Sequence, residues 1–318
     1  MVTERAEILA RWKQHFSDLL NTPSSIAQDT LDRIVALPEH SSLDVPPTID
    51  EVAAAVSEMR NGKAPGSDGI PAEIYKHGGD ALLHRLHALF KIVWQDEEVP
   101  QEFKDAAIVP VYKKKGDRSD CGNYRGISLL SIAGKILTRI LFSRLLKTVA
   151  DDVIPEAQCG FRPNRGANDM IFAARQLQEK CREQHRELYT VFIDLTKAFD
   201  MVSRSGLWLL LRKFGCTEKF TKILKSLHEG MLGRVNIGGE FSEPFPVTNG
   251  VRQGCIAGPI LFNLLYAAML SEATKDVPCG IYIRFRTSGK LFNLRRLRAS
   301  TKVFEQVLHE FLYADDYV

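Results

Sequence analysis

The chain has 318 residues, 45% apolar and 25% charged, a mixture that builds a buried core and excludes a disordered or low-complexity polymer. Its net charge is only +3, so bulk charge implies no polyanionic partner and any such contact must come from local patches. The six cysteines lie far apart without a CxxC pair, which reads as reduced thiols of an intracellular protein without structural zinc, and no apolar stretch is long enough to span a membrane.

Residues 1–22 place Ile8, Leu9, Trp12, Phe16, Leu19 and Leu20 at helical spacing, which predicts an amphipathic helix that packs on the main domain or on a segment upstream of it. Residues 23–47 carry Pro23, Pro38, Pro46 and Pro47 and read as a linker. The main domain is therefore expected over 48–318, opening at Thr48, which with Asp50 and Glu51 resembles a helix cap. A helix over 49–60 runs into Asn61-Gly-Lys-Ala-Pro-Gly-Ser-Asp-Gly-Ile-Pro71. Composition favours a helix stop and a fixed turn there over a nucleic-acid contact through Lys63. Residues 72–99 read as helix and 106–112 as a strand. A basic hairpin tip follows, Lys113-Lys-Lys-Gly-Asp117, then Asn123-Tyr-Arg-Gly-Ile-Ser-Leu-Leu130 and a helix over 131–149. A lysine triplet at a turn is ordinarily just solvated. With Arg125 opening the next apolar segment it could instead clamp a triphosphate, Arg bidentately and Lys as a point charge.

Residues 154–168 form a basic, glycine-containing loop ahead of a helix at about 168–185. Its Arg162 and Arg165 could meet phosphates, though exposed loop arginines are common. Val191, Phe192 and Ile193 read as a buried strand closing on Asp194, an acid that such a position usually satisfies with an arginine or backbone amides. Phe199 reads as a core aromatic before a helix at 203–214. A helix over 218–230 and a hairpin around Gly238-Gly239 lead to Asn249-Gly-Val-Arg-Gln-Gly-Cys-Ile-Ala-Gly-Pro259 and an apolar helix over 260–270. Gln253 beside Gly254 in this tight turn could hydrogen-bond a base or a sugar. From Arg284 to Lys302 there are seven basic residues and no acid. The Arg284/Arg286 alternation, with a turn at Ser288-Gly289 and Arg295 and Arg296 beyond it, predicts a hairpin with a cationic face interleaved with aromatics. A solvated basic edge is the plainer account, but the absence of acid favours nucleic acid.

The chain closes on Phe311-Leu-Tyr-Ala-Asp-Asp-Tyr-Val318, an apolar run ending in two adjacent carboxylates at a tight turn. Asp315 and Asp316 repel each other unless a cation lies between them. Two carboxylates make a poor metal site, and Asp194 is the candidate for a third.

In this order, Gly-Lys-Ala-Pro-Gly-Ser-Asp-Gly, Asn-Tyr-Arg-Gly-Ile-Ser-Leu-Leu, Gln-Cys-Gly-Phe-Arg, Asp-Leu-Thr-Lys-Ala-Phe-Asp, Gly-Val-Arg-Gln-Gly-Cys and Tyr-Ala-Asp-Asp resemble the reverse transcriptase of a non-LTR, LINE-type retrotransposon. The resemblance covers most of residues 49–318. It implies an α+β right-hand polymerase with fingers and palm that copies RNA into DNA, with an RNA template, a DNA primer and dNTPs as partners. Asp194, Asp315 and Asp316 would hold two Mg²⁺ ions, with Mn²⁺ able to stand in. Lys114 and Arg125 would bind the triphosphate, Phe199 would be the steric gate against a ribose 2′-hydroxyl, and Gln253 and Gly254 would shape the nucleotide pocket. Relatives continue past the double Asp into a further strand, a primer-gripping segment and a helical thumb, so the expectation is a C-terminally truncated domain without its thumb. The alternative is a catalytically inactive nucleic-acid-binding remnant of such a polymerase.

Overall fold

The protein is described by a computed structural model covering residues 4–251, 256–275, 280–285, 304–308 and 310–317, apart from the side chains of Asp151, Ile283, Arg284, Phe285, Glu305, Gln306 and Tyr317. In chain order its helices are α1 (Arg5–Leu20), α2 (Gln28–Arg33), α3 (Ile49–Ser57), α4 (Ala72–His77), α5 (Gly79–Asp96), α6 (Gln101–Lys104), α7 (Ile132–Leu145), α8 (Asp151–Val153), α9 (Ala167–Glu183), α10 (Arg204–Lys213), α11 (Glu218–Ser226) and α12 (Gly258–Thr274). Its strands are β1 (Ala106–Tyr112), β2 (Tyr124–Leu129), β3 (Ile193–Asp194), β4 (Leu232–Ile237), β5 (Glu240–Phe241), β6 (Phe245–Pro246), β7 (Ile281–Phe285), β8 (Phe304–Leu308), β9 (Leu312–Tyr313) and β10 (Asp316–Tyr317). The class is mixed α+β. The chain divides into two units, Met1–Pro155 with Thr196–Met269, and Glu156–Leu195 with Leu270–Val318. No helix among the described residues is long and apolar enough to cross a membrane.

The first unit is organised on a sheet in the order β2-β1-β4-β5, with β6 also paired to β4. β1 runs antiparallel to β2 and parallel to β4. Helix α1 lays its apolar stripe on this sheet. Phe16 is fully buried, and a Cβ on Gly126 of β2 would lie 2.5 Å from its ring, so the sheet has a glycine where the aromatic needs room. Trp12 meets Tyr124 edge-on at 4.8 Å between ring centroids. Burying a side chain such as Phe16 contributes about 1.5–3 kcal/mol. The proline-rich stretch before Thr48 is laid down with equal care. Leu43 is fully buried, the Trp94 indole donates to the Asp44 carbonyl at 2.8 Å, and Arg144 donates to the Val45 and Pro46 carbonyls. Arg144 also grips Glu51 at 2.6 Å, and Thr48 and Glu51 form the capping box that the sequence suggested. Burial pushes the Glu51 carboxyl up, yet the hydrogen bonds from Arg144 and Thr48 outweigh it and hold its pKa below the ordinary value.

The helix expected over 72–99 is two, α4 and α5, because Gly78-Gly79 interrupts the hydrogen-bond ladder. The helix expected over 131–149 keeps α geometry to Leu145, starts on the Ser131 hydroxyl, and finishes in one π-helical turn over Leu146–Ala150.

The second unit holds the three-stranded sheet β3-β10-β9, the β7–β8 pair and helix α9. No residue of α9 is buried.

Candidate catalytic carboxylates

Asp194 and Asp316 are direct partners on neighbouring antiparallel strands of the second unit. Directly opposite residues of such a pair project to the same face, with Cβ atoms about 4.5–5.5 Å apart. The local structure that achieves this is a hairpin. Tyr313 pairs with Asp316, leaving Ala314 and Asp315 as a two-residue turn, with Ala314 in the left-handed region at φ 58°. The turn is held from behind by residues 157–160. The Leu312 amide donates to Ala157 O at 3.0 Å, and the Cys159 amide donates to Leu312 O at 2.9 Å. A Cβ on Gly160 would lie 2.2 Å from the Ala314 nitrogen, so only glycine allows this approach. Gln158, 2% exposed, hydrogen-bonds Ala314 through both ends of its side-chain amide.

Two like charges facing each other across a strand pair are destabilising in water and invite a counter-ion. Carboxylate oxygens are the ligands that hard divalent cations take, so the Asp194–Asp316 pair fits a Mg²⁺ ligand set as far as it goes. Among the described residues no three His, Cys, Asp or Glu side chains are grouped as a metal site; Asp316 stands opposite Asp194 and Asp315 lies in the adjoining turn.

The strand leading to Asp194 differs from its reading as buried. Only Ile193 and Asp194 are strand, and Val191, Phe192 and Ile193 are exposed, Phe192 at 77%. An apolar run is covered only where a sheet continues on both sides. Among the described residues β3 has one neighbour, β10, itself two residues long.

Lys114 and Arg125 both lie on the β1–β2 hairpin of the first unit and both are exposed. Arg125 is opposite the exposed Val111 and Lys114 sits in the tip at φ 58°. Phe199, also in the first unit, is half-buried with its ring 4.6 Å from that of Phe262 on α12. Arg162 and Arg165 are drawn back to an acid of their own loop: Glu156 lies 3.7 Å from Arg162 and 2.7 Å from Arg165. Arg284 stands in β7 opposite Glu305 of β8. Strand β7 pairs with residues 304–308, and the turn expected at Ser288-Gly289 lies outside the described residues. Gln253, Gly254, Arg286, Arg295 and Arg296 lie outside the described residues.

Asp200 was passed over in the sequence, although it closes the Asp-Leu-Thr-Lys-Ala-Phe-Asp motif. It lines a small cavity in the first unit together with Arg204, Phe16 and Ser128. Burial pushes its carboxyl up to about 6, with Lys197 and Lys113 pulling the other way.

Residues 112–318 match the family described as "Reverse transcriptase (RNA-dependent DNA polymerase)". The chain is 28% identical over 267 residues to the Transposon TX1 uncharacterized 149 kDa protein of Xenopus laevis, which covers 82% of this chain and 20% of that protein. It is 27% identical over 270 residues to the RNA-directed DNA polymerase from mobile element jockey of Drosophila melanogaster, covering 84% of this chain and 29% of the other. With the Retrovirus-related Pol polyprotein from type-2 retrotransposable element R2DM of the same fly, the identity is 26% over 287 residues, 90% of this chain and 26% of that protein. The chain thus spans between a fifth and three tenths of the length of these relatives. With a family match that takes in well over half its residues, the chain belongs to the reverse transcriptase (RNA-dependent DNA polymerase) family.

Proposed function

We propose that this chain carries the RNA-directed DNA polymerase activity of a non-LTR retrotransposon, adding dNTPs to a DNA primer on an RNA template. The observation that carries the reading is Asp316 standing opposite Asp194 across β3 and β10. In this account residues 48–318 form the fingers and palm of a right hand, and residues 1–47 are the helix and linker that support it. Asp194, Asp315 and Asp316 are the residues that would hold two Mg²⁺ ions, with Mn²⁺ as substitute. When bound, such ions supply an activated primer 3′-hydroxyl and charge neutralisation at the phosphates.

The chain's own contribution is placement, which dominates phosphoryl transfer because the protein has little covalent chemistry to perform. Arg125 binds the incoming triphosphate through its planar fork, with Lys114 as a point charge beside it. Phe199 packs where a ribose 2′-hydroxyl would sit, and Gln253 and Gly254 shape the nucleotide pocket. Arg284, Arg286, Arg295 and Arg296 neutralise the phosphates of template and primer, and Arg162 and Arg165 join them by exchanging Glu156 for phosphate. The test is extension of a primer on RNA with dNTPs and Mg²⁺, which wild-type protein performs and Asp316→Asn does not. Absence of wild-type extension overturns the reading for this chain.

The alternative, a nucleic-acid-binding remnant without catalysis, draws on the stretch from Arg284 to Lys302, seven basic residues with no acid. It predicts RNA binding that weakens steeply with salt and no primer extension under any metal.

A further inference from the structure

We infer that Gln158 is a positioning residue for the carboxylate hairpin, acting through the Ala314 peptide; this deepens the proposed polymerase reading and rests on it. The Gln158 Oε1 accepts from the Ala314 amide at 2.9 Å and from the Gly160 amide at 2.8 Å, and its Nε2 donates to the Ala314 carbonyl at 3.1 Å. One side chain therefore satisfies both polar groups of the residue that precedes Asp315.

The need for such a clamp follows from the turn. Ala314 is 4% exposed, so water cannot serve its amide and carbonyl, and its φ of 58° is a conformation that residues with a Cβ rarely adopt. Something must hold that conformation, because the direction of the chain at Ala314 sets where Asp315 points and whether Asp316 falls opposite Asp194. The residue required must accept twice and donate once. It must be buried without charge, and long enough to reach a turn 156 positions away in the chain. Glutamine meets all of these conditions. Ionised glutamate accepts but cannot donate, asparagine is a methylene too short, and methionine fills the volume with no hydrogen bond. Only one orientation of the amide satisfies all three partners, which fixes its assignment. Gly160 completes the seat, since a Cβ there would strike the Ala314 nitrogen.

Supports of this kind, one step removed from a metal ligand, typically cost about 10–100-fold in metal affinity or activity when removed. The test uses the full chain as wild type, Gln158→Met, Gln158→Asn and Asp316→Asn, with two readouts besides activity. The first is amide hydrogen exchange of the peptide spanning residues 311–318, followed by mass spectrometry. The second is the Mn²⁺ dissociation constant from electron paramagnetic resonance. Gln158→Met is expected to speed exchange in that peptide about tenfold and to weaken Mn²⁺ about 10–100-fold. Its kcat should fall while KM for dNTP stays within about twofold, a split that general loosening of the fold would not produce. Should Gln158→Met fail to fold, Gln158→Asn carries the test: it keeps the buried amide but is a methylene too short to reach all three partners, so exchange should rise by less, but it must rise. Wild-type exchange and Mn²⁺ affinity in either folded variant overturn the inference. A wild-type chain that binds no Mn²⁺ brings down the metal reading and the positioning role with it, and the exchange data then still report whether the clamp exists.

Discussion

The two units of this chain use similar proportions of apolar sequence to different effect. In the first, buried polar side chains tie distant segments together. Arg204 on α10 donates to the carbonyls of His228, Val247, Asn249 and Gly250, and Arg144 ties the stretch before Thr48 to α3. In the second, α9 has an apolar stripe but buries none of it, and the residues before Asp194 are exposed. The lesson is that an apolar run reports a capacity for burial. Whether the capacity is used depends on which neighbours the fold supplies, and a local pattern does not contain them. The carboxylate hairpin belongs to the second unit, where Leu312, Ala314 and Gln158 are buried and hydrogen bonds with residues 157–160 hold the turn.

This contrast can be broken or sharpened by substitution. The largest effect is expected at Arg204. Arg204→Met leaves four carbonyls in the buried unit without their donor, and should cost about 3–5 kcal/mol in chemical denaturation. A loss below about 1 kcal/mol would show that the first unit does not depend on its buried polar hub.

An intermediate effect is expected at Asp200, and its sign is set by burial. Its folded pKa, about 6, lies above the ordinary 3.8, so folding disfavours the ionised form. Below pH 3.8 the group is protonated in both states and costs nothing. As pH rises to about 6 and beyond, the folded chain must ionise a buried carboxyl, so its stability falls across that window and stays lower above it. Asp200→Asn should flatten this part of the stability–pH curve and gain about 1–3 kcal/mol at pH 8. An unchanged slope between pH 4 and 6 would mean that the carboxyl is hydrated.

The smallest effect is expected in the second unit. Phe172 on α9 is 65% exposed, and Phe172→Ser should alter stability by no more than about 0.5 kcal/mol. A loss of about 2 kcal/mol, the scale of a buried aromatic, would show that α9 is packed in solution and would erase the contrast.

What the sequence revealed follows the same division. Local chemistry was readable: the Thr48–Glu51 cap, the Ser131 helix start and the β1–β2 hairpin with its basic tip are all decided within a few residues. The Gly78-Gly79 break was visible as two glycines in a helical pattern, and periodicity alone hid it. That Asp194 and Asp316 each close an apolar run was also readable, and the two stand opposite each other on neighbouring strands. Properties fixed by distant neighbours were not. Gln158 looks like any loop glutamine until Ala314 is placed beside it, and Arg162 and Arg165 looked available until Glu156 was seen to engage them. Asp200 gave no sign of burial, since its surroundings come from α1, β1, β2 and the segment near Val251.

The central claim is that Asp194 and Asp316 face each other, and a disulfide tests it most directly. Directly opposite antiparallel residues have Cα atoms about 4.5–5.5 Å apart, within the roughly 4.4–6.8 Å that a disulfide spans. Asp194→Cys with Asp316→Cys, mildly oxidised and mapped by peptide mass spectrometry, should form the 194–316 bridge in high yield. No 194–316 bridge, under conditions where the neighbouring pair Ile193→Cys with Tyr317→Cys does cross-link, would contradict the account.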